Sequence, residues 1–161
     1  MAWISFAARV LVGGVWIVAG LLKLPDPAAS VRAVRAYRIL PEAIVPTVGY
    51  ALPIIELLVG LTLIVGLLVR IGALLSCLLF VAFIVGISQA WARGLQIDCG
   101  CFGGGGFDAR ANEKYPWELA RDFGLLFASL WLVWRPRAPW ALDNLLLHHD
   151  RDRTLTGEPS R

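Results

Sequence analysis

Four long apolar blocks limit what this chain can fold into. They run Ile4–Leu22, Ile44–Val69, Ile71–Trp91 and Trp117–Trp134. A helix of about 20 residues, range about 17–25, crosses a hydrocarbon core of roughly 30 Å. Four such helices buried against one another in water would need a polar coat, and the composition does not supply one. Of 161 residues, 58% are hydrophobic and only 17% charged, against about 45–50% and about 25% in an ordinary soluble domain. The expected fold is therefore all-α: an integral membrane four-helix bundle. Residues 1–135 are expected to form the membrane domain, with spans at about 4–22, 44–69, 71–91 and 117–134, and 136–161 a polar, partly disordered C-terminal tail.

Local chemistry refines those blocks. Pro46 and Pro53 are expected to kink the second or trim its start, and the fourth is expected to begin slightly before Trp117. The first ends in Gly20-Leu21-Leu22-Lys23-Leu24-Pro25, which lacks the small-residue exit of a cleaved signal, so it reads as a retained span. Between the first two spans, Asp26 followed by Pro27 reads as a helix cap with proline at the first position. Val31, Val34 and Tyr37 then share one face, Arg32, Arg35 and Arg38 another, and Pro41 ends the pattern. This short helix either lies in the interface with its arginines at lipid phosphates or caps the bundle as a solvated helix.

Charge does not orient the bundle. An even number of spans puts both termini on one side, with seven basic residues: Arg9, Arg70, Arg135, Arg137, Arg151, Arg153 and Arg161. The opposite side carries eight: Lys23, Arg32, Arg35, Arg38, Arg93, Arg110, Lys114 and Arg121. The positive-inside rule decides nothing on such a balance.

Chemistry concentrates in the third connection, where Asp98-Cys99-Gly100-Cys101-Phe102-Gly103 is followed by three more glycines. Thiols this close, beside a glycine-rich loop at the mouth of a helix, point to redox work, both sulfurs facing one partner. A disulfide between them closes a very small ring, which favours exchange over stapling. The alternatives are two structural cysteines or half a metal site. No metal is expected, because a zinc site wants four ligands and the loop has no histidine; His148 and His149 belong to the other side. Cys77 precedes Cys99 by 22 residues, about 33 Å along a straight helix, and reads as a small buried hydrophobe.

Charges inside spans are costly and therefore informative. Glu56 lies about 15 Å into the membrane by helical rise from Pro46 and needs a partner, a proton or water. Lys23 closes the first span and Arg121-Asp122 opens the fourth, all on the cysteine side. A cation beside Cys99 or Cys101 would favour thiolate; alternatively Lys23, Glu56, Arg121 and Asp122 form an interhelical polar network. Arg9 is expected to snorkel to the interface.

These residues resemble the MauE branch of the DoxX-like membrane proteins. The likeness rests on Asp98-Cys99-Gly100-Cys101-Phe102-Gly103, the most specific match. Ala19-Gly20-Leu21-Leu22-Lys23-Leu24, the stretch from Tyr37 to Pro41, Glu56 before Gly60, and Arg121-Asp122 add weaker ones. It covers about residues 5–135. The resemblance implies a four-helix membrane bundle in thiol–disulfide metabolism, working with a thioredoxin-fold or DsbA-like partner to mature disulfide-containing proteins, methylamine dehydrogenase among them. Nothing in the sequence speaks to methylamine itself. The resemblance also implies an orientation in the cytoplasmic membrane: cysteine loop on the oxidising, extracytoplasmic side, termini in the cytoplasm.

Three functions follow. The first is a thiol–disulfide relay with Cys99 and Cys101 as catalytic thiols and Arg121, Asp122, Glu56 and Lys23 in support. The second is a non-catalytic membrane scaffold in a redox complex. The third is a bundle that binds quinone or another small molecule. No nucleotide, haem or phosphate-loop motif occurs, so no bound cofactor is expected beyond the thiols, and quinone enters only by analogy. Nucleic acid is not an expected partner; membrane lipid is.

Overall fold

The computed structural model describes residues 2–135; the expected tail, 136–161, lies outside them. The described residues are all-helical apart from one minimal strand pair. In order they form α1 (Ala2–Lys23), α2 (Pro27–Ala36), α3 (Val45–Val65), α4 (Val69–Ala92), β1 (Ile97–Asp98), β2 (Gly106–Phe107) and α5 (Ala111–Trp134).

Each boundary has a local cause. Asp26 caps α2, its side chain accepting from the Ala29 amide, with Pro27 in the first turn. Pro46 sits in the first turn of α3, where the missing N–H costs no helical bond, so it starts the helix and does not kink it. The apolar run expected over 44–69 is broken earlier than Arg70. Gly66 takes a left-handed conformation and closes α3 on the Thr62 carbonyl, and Leu68 is also left-handed. α5 begins at Ala111 and runs through Pro116, well ahead of Trp117, because its first turns are polar and invisible to a search for apolar runs.

α1, α3 and α4 are long and apolar enough to cross a membrane. Their outward residues agree: Leu11, Leu58, Leu78 and Val85 are exposed, which suits lipid as the surrounding solvent. α5 is 24 residues long but carries Glu113, Lys114, Glu118, Arg121 and Asp122.

α1 packs on α3 and α5, and α4 on α5 and α3. The α1–α3 seam is close because it lacks side chains where the helices meet: a β-carbon on Gly60 would lie 2.8 Å from the Gly13 carbonyl oxygen. Membrane helices commonly use small residues this way, since close backbone approach replaces the missing hydrophobic drive. The core is Val12, Trp16, Val59, Leu63, Ala73, Phe80, Leu125 and Leu132. Through it runs a polar thread: Trp16 Nε1 donates to Ser76 Oγ (2.6 Å), which meets Ser129 Oγ (3.1 Å), tying α1, α4 and α5.

Arg9 does not snorkel. It is buried in the bundle, its guanidinium 5.5 Å from the Phe6 ring centroid. Two of the arginines of α2 pair with acidic neighbours. Arg32 pairs with Asp26 (2.7 Å) and Arg35 with Glu42 (2.5 Å). The opposite side of α2 is covered by protein, with Val31 against Gly49 of α3 and Ala33 against Gly100 and Gly105. α2 thus caps the bundle end where the cysteines lie.

Candidate functional site

The loop between α4 and α5 is a two-residue ribbon carrying the cysteines at its turn. Ile97 and Asp98 pair antiparallel with Phe107 and Gly106. Tyr115 of α5 anchors the ribbon: its hydroxyl donates to the backbone oxygens of Leu95 or Ile97 (2.7 and 3.0 Å) and lies 3.2 Å from the Ile97 amide. At the turn, Asp98 Oδ1 accepts the Gly100 amide (2.8 Å). Gly100 has φ +66°, and a β-carbon there would lie 2.5 Å from that of Ala33 on α2. Only glycine satisfies both the backbone angle and the contact.

Cys99 and Cys101 are free thiols and face each other's backbone. The Cys101 amide donates to Cys99 Sγ (3.4 Å), and Cys101 Sγ points back at the Cys99 carbonyl (3.9 Å). That carbonyl also accepts the Tyr37 hydroxyl at 2.9 Å. Tyr37 is held in turn by Gln89, which donates to its backbone oxygen (2.9 Å). Cysteine chemistry is therefore fixed from three directions, by α2, α4 and α5.

Both thiols are buried. Each is only 6% exposed, and they cluster with Ile87, Ala111 and Tyr115. The reason is the α2 cap: Ala33 and Tyr37 hold the turn down against the helix ends. Behind Cys101 lies a cavity of about 10 Å³ lined by Trp16, Phe80, Phe83, Phe102, Arg121 and Asp122 among others, roughly the space of one water.

The four expected supporting residues separate into two pairs. Lys23 Nζ bonds Glu56 Oε1 at 2.5 Å, joining α1 to α3 with both groups buried. Arg121 bonds its own neighbour Asp122 (2.8 Å); its guanidinium lies 4.7 Å from the Phe102 ring centroid. Only the second pair reaches the thiols. At Cys101 the nearby cation is outweighed. A hydrogen bond from Cys99, burial and the charges of Cys99 and Asp122 all push its thiol well up, and Arg121 pulls only weakly the other way.

Cys77 lies in α4, buried in the bundle. The straight helix assumed between it and Cys99 stops at Ala92, so the helical part of their separation is about 22 Å, not 33 Å.

Two functional neighbours were missed by sequence reading. Tyr37 appeared as part of an apolar face and of the stretch that carries the family resemblance, without a role at the thiols. Glu118 was overlooked altogether, yet its Oε2 is buried with no hydrogen-bond partner among the described residues. The available signal was its spacing: Glu118, Arg121 and Asp122 at i, i+3 and i+4 share one face of a helix.

A family model described as methylamine utilisation protein MauE matches residues 1–135. The methylamine utilization protein MauE of Paracoccus denitrificans is 31% identical over 103 residues, 63% of this chain and 55% of that protein. Its counterpart in Methylorubrum extorquens is 35% identical over 111 residues, 67% of this chain and 57% of that protein. The matches thus span a little over half the length of these curated relatives. No solved structure matches the chain.

Proposed function

Because the chain belongs to the MauE family, we propose that it is a membrane thiol–disulfide relay that exchanges electrons through Cys99 and Cys101 with a thioredoxin-fold or DsbA-like partner. The partner would carry them to or from a maturing extracytoplasmic protein. The observation that carries this reading is that two free thiols share one tight turn, the Cys101 backbone amide donating to Cys99 Sγ at 3.4 Å. Arg121 and Asp122 line the same small cavity as Cys101. Structural cysteines need no such polar surround; exchanging thiols use one to manage charge on sulfur. Methylamine utilisation, the process in the relatives' names, is the setting in which we place the exchange.

In this reading α5 completes a fourth span of a DoxX-like bundle. Phe123, Phe127, Leu130 and Trp134 are exposed along it, so the later turns of α5 present an apolar outward side. Both termini are then cytoplasmic and the cysteine loop extracytoplasmic in the cytoplasmic membrane. α2 sits over the loop at that surface, and its displacement admits the partner to thiols that are otherwise buried. A scaffold role is the second reading, favoured by that same burial.

The test uses Cys99→Ser and Cys101→Ser in the full chain. Serine is nearly isosteric but cannot sustain disulfide exchange, so each variant should assemble normally and abolish partner-dependent turnover. One should accumulate a mixed disulfide. Full activity in the double variant, at normal membrane level, would leave the scaffold standing and the relay refuted. Cys77→Ser should be silent.

A further inference from the structure

We infer that the cavity behind Cys101 is a site for one bound water, held by Asp122, through which Cys101 passes its proton to that carboxylate when its sulfur attacks a disulfide. The proton route rests on the relay reading above; the water site does not. The cavity is about 10 Å³, roughly the least that holds a water. Much of its wall is apolar, Trp16, Phe80 and Phe83 included, but Cys101, Arg121 and Asp122 line it too. An apolar cavity stays dry, whereas one that offers a water two or more polar partners does not.

Asp122 is the group that makes it wet. The residue is 2% exposed. Its Oδ1 accepts from Arg121, Nε at 2.9 Å and Nη2 at 2.8 Å, so the neighbouring cation is occupied with one oxygen. The other, Oδ2, is buried with no hydrogen-bond partner among the described residues. A carboxylate oxygen left bare out of water is costly, and one donating water removes that cost. The second partner is the thiol. The Cys101 S–H has only the Cys99 carbonyl, 3.9 Å from its sulfur, as a competing acceptor in the turn. Turned to the cavity it donates to the water, and the water donates to Oδ2. The other buried pair stands apart: Lys23 Nζ lies 5.7 Å from the Phe83 ring centroid and is bonded to Glu56, and neither residue lines the cavity.

Burial is what gives such a route its use. A thiol that ionises out of water creates a charge that nothing solvates. Passing the proton through the water to Asp122 turns a thiol and a carboxylate into a thiolate and a carboxylic acid, one negative charge before and after. The Cys101 thiolate then attacks a disulfide sulfur, either the partner's or that of Cys99 in a mixed disulfide. One S–S bond forms and one breaks; Cys101 is oxidised and the departing sulfur reduced. That sulfur leaves with the negative charge and takes up a proton from solvent at the membrane surface. The water is regenerated. Reverse exchange restores the Cys101 thiolate, which recovers its proton from Asp122 by the same path.

The experiment has two arms, both on the full chain in nanodiscs and neither using a partner protein. In the first, an X-ray pulse splits water into hydroxyl radicals where it sits, and oxidised side chains are located by mass spectrometry. Trp16 and Phe80 are each 2% exposed and shielded from radicals formed in bulk solvent, so oxidation of either ring reports water in the cavity. It should appear in the parent, persist in Asp122→Asn, whose amide still bonds water, and be lost in Ala19→Val, which fills the cavity. Val15→Ile, on the same wall, stands in if Ala19→Val does not reach the membrane. The second arm times exchange of Cys101 with dipyridyl disulfide on a Cys77→Ser, Cys99→Ser background. Asp122→Asn and Ala19→Val should each slow it by about 100-fold, the lower end for loss of a general base. A rate that falls while the ring oxidation stays is not what a packing defect gives. No oxidation of either ring in the parent overturns the water site. Exchange at the parent rate in Asp122→Asn overturns the proton route, and at the parent rate in Ala19→Val it overturns the water as carrier. Failure to trap a mixed disulfide in Cys99→Ser or Cys101→Ser removes the relay separately, because neither arm needs a partner.

Discussion

Among the described residues, two ion pairs bury their carboxylate, and they are built differently. Lys23 and Glu56 come from α1 and α3 and meet at 2.5 Å, both buried. Arg121 and Asp122 are consecutive on α5 and meet at 2.8 Å. A pair spanning two helices is a cross-link, and its charges are consumed in holding the seam. A pair on one helix links nothing, so its charges remain directed at whatever packs against that face, here Cys101 and Phe102. The same residue types thus serve architecture in one place and the thiols in the other.

Breaking the cross-link should have the largest effect. Glu56→Ala leaves the Lys23 ammonium buried and unpaired, a defect costing about 3–5 kcal/mol. Loss of most folded protein from the membrane, or a large fall in thermal midpoint in detergent, is expected. Replacing both partners, Lys23→Met with Glu56→Leu, should recover the fold. If that double variant recovered the fold but lost exchange activity, the division between an architectural and a thiol-directed pair would fail.

Sequence reading reached the two pairs unequally. Glu56 was conspicuous because a charge in an apolar block demands a partner, and Lys23 was close enough to supply one. The apolar blocks of α1, α3 and α4 were legible for the same reason: their composition has one solution in a membrane. The break at Gly66–Leu68 was hidden, since leucines on both sides of a turn look like leucines inside a helix. Burial of the thiols was hidden more deeply. It depends on Ala33 meeting Gly100 and Tyr37 meeting the Cys99 carbonyl, contacts between segments distant in the chain that no local pattern announces.

That burial supplies the second prediction. Gly100→Ala must move a β-carbon away from Ala33 and hold a left-handed backbone, which alone costs about 1–2 kcal/mol. The turn should lift off α2 while the Lys23–Glu56 seam stays intact. The expected readout is faster alkylation of Cys99 by more than tenfold with little change in thermal midpoint. Adding Ala33→Gly removes the clash and should restore part of the protection; no restoration would mean that α2 does not cover the thiols.

Tyr37→Phe probes the same cover more gently. It deletes one hydrogen bond, hydroxyl to Cys99 carbonyl at 2.9 Å, and leaves the ring in place. A net loss of about 1 kcal/mol translates to roughly fivefold faster Cys99 labelling by a membrane-impermeant maleimide. Labelling from the outside of intact cells, with Cys77 untouched, would also support the proposed orientation. Labelling seen only after the membrane is opened would reverse it.

The smallest effect is expected at the exposed pairs of α2, which extend the comparison to groups that stabilise little yet mask charge. Arg32 and Arg35 are bonded to Asp26 and Glu42, and these hydrogen bonds hold both carboxyls below their ordinary range. A depressed carboxyl stays ionised as pH falls and releases its arginine only below the usual carboxylate range. Acidification from about pH 7 to 5 should therefore leave retention of anionic lipid on the extracted protein unchanged, as counted by native mass spectrometry. Asp26→Asn with Glu42→Gln frees both guanidiniums at neutral pH and should raise that retention by about fivefold for each arginine released, the typical worth of one basic residue at an anionic surface. If the double variant retained no more lipid than the parent, the arginines of α2 would face water and not headgroups. The helix would then be a cap over the cysteine loop with no hold on the membrane, and its displacement by a partner would meet no lipid resistance.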